Sequence, residues 1–165
     1  MATQTVNIFN FSSEAQIDNW QIVNDGVMGG LSDSSFQLNQ EGYGKFSGHV
    51  SLENNGGFAS VRLPTVIKLE NKKQEIVLKI KGDGKTYQCR LKSSRSQSES
   101  YVHEFNTTGE WQTIKLTLND FYPQYRGRKL NASNFDFKKI ELFGFLIANK
   151  KEESFNLLID SIELK

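Results

Sequence analysis

A single cysteine, Cys89, stands in 165 residues, so neither an internal disulfide nor a Cys-based zinc site is expected. Basic residues are missing from the start: no Lys or Arg precedes Lys45, whereas Glu14, Asp18, Asp25, Asp33 and Glu41 all do. A secretory signal needs a basic start and about 7–15 apolar residues, and a mitochondrial transit peptide is Arg-rich and acid-poor. Neither pattern is present. No apolar run nears the roughly 18 residues of a membrane span. These absences lead to the expectation of a cytoplasmic protein without a membrane span.

Catalytic signatures are equally scarce. The two histidines, His49 and His103, both fall inside strand-like segments, where a lone imidazole more often packs or faces solvent than acts as a base. No Gly-x-Ser-x-Gly elbow, His-Glu-x-x-His pair or Walker loop occurs. The run Gly26-Val27-Met28-Gly29-Gly30 has the spacing of neither phosphate-binding fingerprint. A glycosidase needs two carboxylates across a cleft, but Asp25 and Asp83 each precede a glycine in a turn-like context. No enzymatic activity and no cofactor are expected. Basic residues cluster at Lys85, Arg90, Lys92, Arg95 and at Arg126, Arg128, Lys129, yet the formal net charge is only +1. Without a strong basic balance or a recognisable module, nucleic acid is not an expected partner.

Period-two alternation is abundant. Ile76, Leu78 and Ile80 share one face opposite Val77, Lys79 and Lys81, and Ile114, Leu116 and Leu118 oppose Thr113, Lys115 and Thr117. Further strands are expected at residues 45–52, 59–63, 86–92, 101–105, 139–148 and 154–165. Turn chemistry separates them at Asn54-Asn55-Gly56-Gly57, Gly82-Asp83-Gly84-Lys85 and Thr107-Thr108-Gly109-Glu110. The Asp83-Gly84 step reads as a tight hairpin. Helix is confined to one short turn at the capping-box-like Ser13-Glu14-Ala15-Gln16. Strands about every 10 residues predict an all-β, antiparallel β-sandwich, a single domain over residues 1–165. A chain this long buries about 70% of its extended surface. Twelve Phe and the two tryptophans, Trp20 and Trp111, read as core anchors.

Alternation also gathers Gln88, Arg90 and Lys92 on one side of a strand and Ser60 with Arg62 on another. Such a face is either ordinary solvated surface or a site for a sugar, a carboxylate or an acidic protein surface, because Arg offers forked donors. Asp160 is read on the same face as Leu158, Ile162 and Leu164. A carboxylate there must be paired, by tying down the segment Phe9-Asn10-Phe11 or by holding calcium. The charge itself is divided: the first 44 residues carry −5 and the remainder +6. Internal pairing is expected, with Asp25 or Asp33 near Arg or Lys.

One long segment, Trp20-Gln21-Ile22-Val23-Asn24-Asp25-Gly26-Val27-Met28-Gly29-Gly30-Leu31-Ser32, resembles the signature of the complex I intermediate-associated protein 30 family. Phe46-Ser47-Gly48, residues 54–62, Gly82-Asp83-Gly84 with Tyr87, Trp111, Arg126-Gly127-Arg128, Gly144-Phe145-Leu146-Ile147-Ala148 and residues 155–162 follow in the expected order. The resemblance spans about residues 9–164. It implies a galactose-binding-like jelly roll with at most short helical turns. It also implies a non-enzymatic binding module or chaperone-like helper that assists assembly of respiratory complex I by transient contact with its subunits or intermediates. The same fold carries the alternative of a carbohydrate-binding module, and an enzyme of unknown reaction around Asp25 and Asp83 is the weaker alternative. The candidate ligand or partner residues are Asn24, Asp25, Met28, Asn54, Asn55, Arg62, Tyr87, Arg90 and Tyr101, with Asp160 as a calcium candidate and no other metal ligand.

Overall fold

Alternating strands build two facing antiparallel sheets in the computed structural model, which describes residues 5–24, 31–53 and 57–165. In chain order the strands are β1 (Val6–Asn10), β2 (Gln21–Ile22), β3 (Asp33–Leu38), β4 (Gly44–Val50), β5 (Ala59–Lys68), β6 (Glu75–Lys81) and β7 (Thr86–Lys92). They continue with β8 (Ser100–Asn106), β9 (Trp111–Thr117), β10 (Tyr122–Tyr125), β11 (Arg128–Lys129), β12 (Lys139–Ile147) and β13 (Glu153–Leu164). One sheet runs β3-β4-β13-β6-β9 with β1 also on β13; the other runs β11-β10-β8-β7-β12-β5-β2. This is the all-β antiparallel sandwich expected from the alternation, with the jelly-roll architecture that the family resemblance implies. Helix is confined to short turns such as the 3-10 turn Leu118–Asp120. The capping-box segment forms a turn rather than a helix, in which Ala15 N donates to the Ser12 carbonyl at 3.0 Å.

The core lies between the sheets and is rich in rings. Phe46, Phe121, Phe135, Phe143 and Phe145 are fully buried. Trp20 stacks on Phe36 of β3 at 4.8 Å and lies parallel to Phe145 of β12 at 6.5 Å, so it joins one sheet to the other. β12 occupies the middle of its sheet, and Phe143 through Ile147 are buried on both faces.

The turns behave differently from their local chemistry. Gly84 and Gly109 do take positive φ angles of 85° and 88°, yet neither turn closes a hairpin. β6 and β9 belong to one sheet and β7 and β8 to the other, so residues 82–85 and 107–110 are corners at which the chain changes sheet. The corners clasp each other. Thr107 Oγ1 accepts from Gly84 N at 3.1 Å and donates to the Lys85 carbonyl at 2.7 Å. A Cβ on Gly82 would lie 2.2 Å from the Thr107 side chain, so that glycine is required by close approach. The genuine two-residue hairpin joins β10 to β11 through Arg126 and Gly127, both at positive φ (49° and 79°) as a type I′ turn demands.

Candidate functional site

In the seven-stranded sheet β12 runs between β5 and β7, and its Gly144 is in register with Arg62 on one side and Arg90 on the other. Val61 and Leu63, and Tyr87, Cys89 and Leu91, fill the core. Alternation therefore puts Ser60 and Arg62, and Gln88, Arg90 and Lys92, on the outer face. Gly144 lies so close to β5 that a Cβ would sit 2.8 Å from the Val61 carbonyl oxygen. The centre of the row is thus bare. Two arginines whose Cα atoms are about 10 Å apart, two inter-strand spacings, flank a small groove that Lys92 and Ser100 also line.

The groove is electrostatically lopsided. Arg90 Nη2 donates to Gln124 Oε1 of β10 at 2.7 Å. Its Nε is buried without a hydrogen-bond partner among the described residues, and so is Gln88 Oε1 on the same face. Burial, and then the neighbouring Arg62 charge, push Arg90 down to about 10, so it remains charged at neutral pH. Burial also lowers Arg62, and burial followed by Arg62 and Arg90 lowers Lys92, against a small opposing pull from Glu99. Lys92 Nζ donates to the Gln97 carbonyl at 2.8 Å. The ion pairs of the described residues are Lys79–Asp160, Lys85–Asp83 and Lys139–Glu141, and none involves Arg62, Arg90 or Lys92.

Arg62 and Arg90 are the two sequence-derived candidates that the fold brings together, across β12 rather than as direct neighbours. Tyr87 and Tyr101 require correction. They are 0% and 6% exposed and point into the core, because each lies an odd number of positions from the outward residues of its strand. The Tyr87 hydroxyl donates to Asp83 Oδ1 at 2.9 Å, and the Tyr101 ring meets Phe135 and Phe137 edge-on. Asn24 is a staple: its Oδ1 accepts from Ser34 Oγ at 2.8 Å and from Ser60 N at 3.3 Å, tying β3 to β5 across the sandwich. Asp25, Met28, Asn54 and Asn55 lie outside the described residues. Sequence reasoning missed Gln124, since β10 carries no clear alternation, and missed Gly144 as the gap between the arginines.

Asp160 also departs from its expected setting. A bulge between Ile159 and Ser161 shifts the register of β13 on β6. The buried positions accordingly pass from Phe155, Leu157 and Ile159 to Ile162 and Leu164, and Asp160 drops out of the inward row. Its carboxylate is 3.4 Å from Lys79 Nζ, and the tie to the N-terminal segment is made by its backbone carbonyl, which accepts from Phe11 N at 3.0 Å. No group of three or more His, Cys, Asp or Glu able to hold a metal exists among the described residues, so the calcium candidate finds no companions. Asp160→Asn is expected to cost no more than about 1 kcal/mol in urea unfolding, because the pair is solvent-screened, and added calcium should leave the midpoint unmoved. Trp111, expected in the core, is 37% exposed and leans on Tyr43 at 4.6 Å beside this pair. Asp33 makes no ion pair among the described residues, so the acidic start does not neutralise the basic remainder through it.

Similarity to known proteins places the fold in context. The Family 11 carbohydrate-binding module from Clostridium thermocellum, in complex with a β-1,3-1,4-mixed-linked tetrasaccharide, superposes with a TM-score of 0.69. It is 18% identical over 99% of this chain and 96% of its own, a likeness that bears on the fold alone. Proteins of Caenorhabditis elegans and Caenorhabditis briggsae, each named probable complex I intermediate-associated protein 30, mitochondrial, are 25% identical over 93% of this chain. The chain spans about half of their length, 52% in each case. Their mitochondrial designation overturns the expectation of a cytoplasmic protein, which rested only on the residues at the start of the chain. The family model described as complex I intermediate-associated protein 30 matches residues 9–159, and the chain belongs to that family.

Proposed function

We propose that the chain is a non-enzymatic binding module, one domain over its whole length, that serves the assembly of respiratory complex I by transiently holding a protein partner. The outer face of the seven-stranded sheet is the contact surface. One observation carries this reading: Arg62 and Arg90 flank a bare glycine with no carboxylate paired to either among the described residues. Uncompensated charge in a groove is costly to the free protein and becomes favourable when a complementary surface covers it. Family membership supplies the process. Asp83, the described carboxylate of the enzymatic alternative, is engaged by Tyr87, Lys85 and the backbone of β13, which supports a structural role for it.

The test is capture from an extract of mitochondria or other complex I-containing membranes. The native chain is expected to retain a complex I subunit or assembly intermediate reproducibly, and Arg62→Glu to lower its recovery roughly tenfold or more, the scale of a lost charged contact. Recovery of nothing above background would count decisively against the reading.

A carbohydrate-binding role is the second reading, favoured by the likeness to carbohydrate-binding modules. The groove offers little for a sugar to stack on. Tyr87 and Tyr101 face inward. The outward Tyr122 ring has Lys129 Nζ 5.1 Å from its centroid, and its hydroxyl is bound to Glu104 at 3.0 Å. Titration calorimetry with the mixed-linked tetrasaccharide should therefore give no heat at millimolar sugar; saturable binding would move the assignment to carbohydrate.

A further inference from the structure

We infer that Arg62 and Arg90 form a carboxylate clamp, which takes an acidic, extended segment of the protein partner. The clamp rests on the reading of this sheet face as the partner surface and names the chemistry recognised there. Three features select the ligand class. First, the donors are cationic and without a counter-ion: the Arg62 guanidinium makes no hydrogen bond or ion pair among the described residues, and the buried Nε of Arg90 has no acceptor. A guanidinium presents parallel donors that match the two oxygens of a carboxylate. Second, the charges are spread. Arg62 and Arg90 stand about 10 Å apart across β12, and Lys92 lies a further ~7 Å along β7 from Arg90, two residues of extended strand. One small anion engages one of these centres, whereas a chain bearing several carboxylates engages two or three. Third, the face also holds an orphan acceptor, the buried Gln88 Oε1. A peptide supplies backbone N–H donors to such an oxygen, and inorganic phosphate at neutral pH, rich in acceptors, serves it poorly.

The second basic group extends the same field. Gln124, the partner of Arg90, is in register with Lys129 across the β10–β11 hairpin. Arg126 and Arg128 are exposed on that hairpin, and Arg126 lies over the Tyr125 ring at 5.4 Å. An acidic segment leaving the groove toward β10 therefore meets further positive charge. Long-range attraction of this kind speeds association and weakens with salt.

The experiment uses the whole chain and a labelled hexaglutamate peptide, with hexaglutamine, inorganic phosphate and a galacturonate oligomer as comparators, followed by fluorescence anisotropy or competition. Hexaglutamate is expected to bind at least tenfold more tightly than hexaglutamine, and the affinity to fall as salt rises. Arg62→Gln and Arg90→Gln should each weaken it roughly tenfold or more, and Arg62→Lys should recover part of the loss, since a lysine keeps the charge but not the fork. Thermal melting of each variant reports whether it folds; Arg62→Gln, which replaces a half-buried side chain that makes no bond of its own, carries the test if Arg90→Gln does not. Equal binding of hexaglutamate by native and folded variant proteins would overturn the clamp. Binding of phosphate or galacturonate as tight as that of the peptide would overturn its peptide class. Arginine-dependent peptide binding without any captured partner supports the clamp and removes the assembly reading. A captured partner that Arg62→Gln and Arg90→Gln both retain fully leaves the assembly reading standing and removes the clamp.

Discussion

Trp20→Ala is expected to destabilise the protein by about 3–5 kcal/mol, the range for deleting a large buried aromatic. Trp20 is 7% exposed and sits where three parts of the chain meet. Phe9 of β1 and Phe11 just after it lie 5.5 and 5.9 Å from its ring, Phe36 of β3 is at 4.8 Å, and Phe143 and Phe145 of β12 are each at 6.5 Å. Removing the indole opens a cavity that rigid neighbouring rings on two sheets cannot collapse to fill, so the loss should lie toward the upper end. Trp20→Phe separates packing from polarity. Indole Nε1 is buried without a partner among the described residues, so the smaller ring loses area but also sheds an unsatisfied donor, whose burial costs about 1–3 kcal/mol. Its penalty should be less than half that of alanine. Urea unfolding followed by circular dichroism measures both; a Trp20→Ala loss below about 1 kcal/mol, the level of surface changes, would mean that Trp20 does not join the sheets.

Much of this arrangement was legible in the sequence because it depends on period two alone. The strands β4 and β6 to β9, with β12 and β13, fall within a residue or two of where alternation puts them, whereas β5 runs on to Lys68, five residues past its expected end. The grouping of Gln88 with Arg90 and Lys92, and of Ser60 with Arg62, follows from the same rule. What stayed hidden depends on information that is not local. Whether Gly82–Lys85 turns back on β6 or carries the chain to the opposite sheet depends on the partners β6 and β7 find far along the chain, and Thr107 then clasps the corner. Asp160 was assigned to the wrong row because one bulge reverses the phase of β13, and an extra residue in a strand leaves no mark in its composition. No strand signal marks β3, because Asp33-Ser34-Ser35-Phe36-Gln37-Leu38 is mostly polar; the register on β4, not burial, makes it a strand. Tyr87 and Tyr101 were grouped with Arg90 for their chemistry against their own parity, and the structure follows parity. The row Arg62–Gly144–Arg90 needed the strand order, since nothing local says that β12 inserts between β5 and β7.

Asp83→Ala should cost about 1–3 kcal/mol, because it strands the buried Tyr87 hydroxyl, while the exposed Asn156 N–H that it also releases can bond to water. Oδ1 accepts the Tyr87 hydroxyl at 2.9 Å, and Oδ2 accepts Asn156 N of β13 at 2.8 Å. Lys85 adds its backbone N–H at 3.3 Å and its ammonium at 3.4 Å. β7 and β13 belong to different sheets, so one carboxylate bolts the sandwich together at this corner. Tyr87 is completely buried, and burial, followed by the Asp83 charge, holds its phenol far above the usual range, so the hydroxyl keeps its proton for this bond at neutral pH. Asp83→Asn keeps one acceptor but turns amide hydrogens toward the N–H groups of Lys85 and Asn156, and it should recover less than half of the loss. The coupling is measurable in a double-mutant cycle. Tyr87→Phe alone removes the hydroxyl from its acceptor, and in the Asp83→Ala background the same change removes an orphan instead. The cycle should therefore return an interaction of about 1–3 kcal/mol. A coupling near zero, with each single variant as stable as the native chain, would show that the corner is held by Thr107 and its backbone contacts alone, and that Asp83 is free for another role.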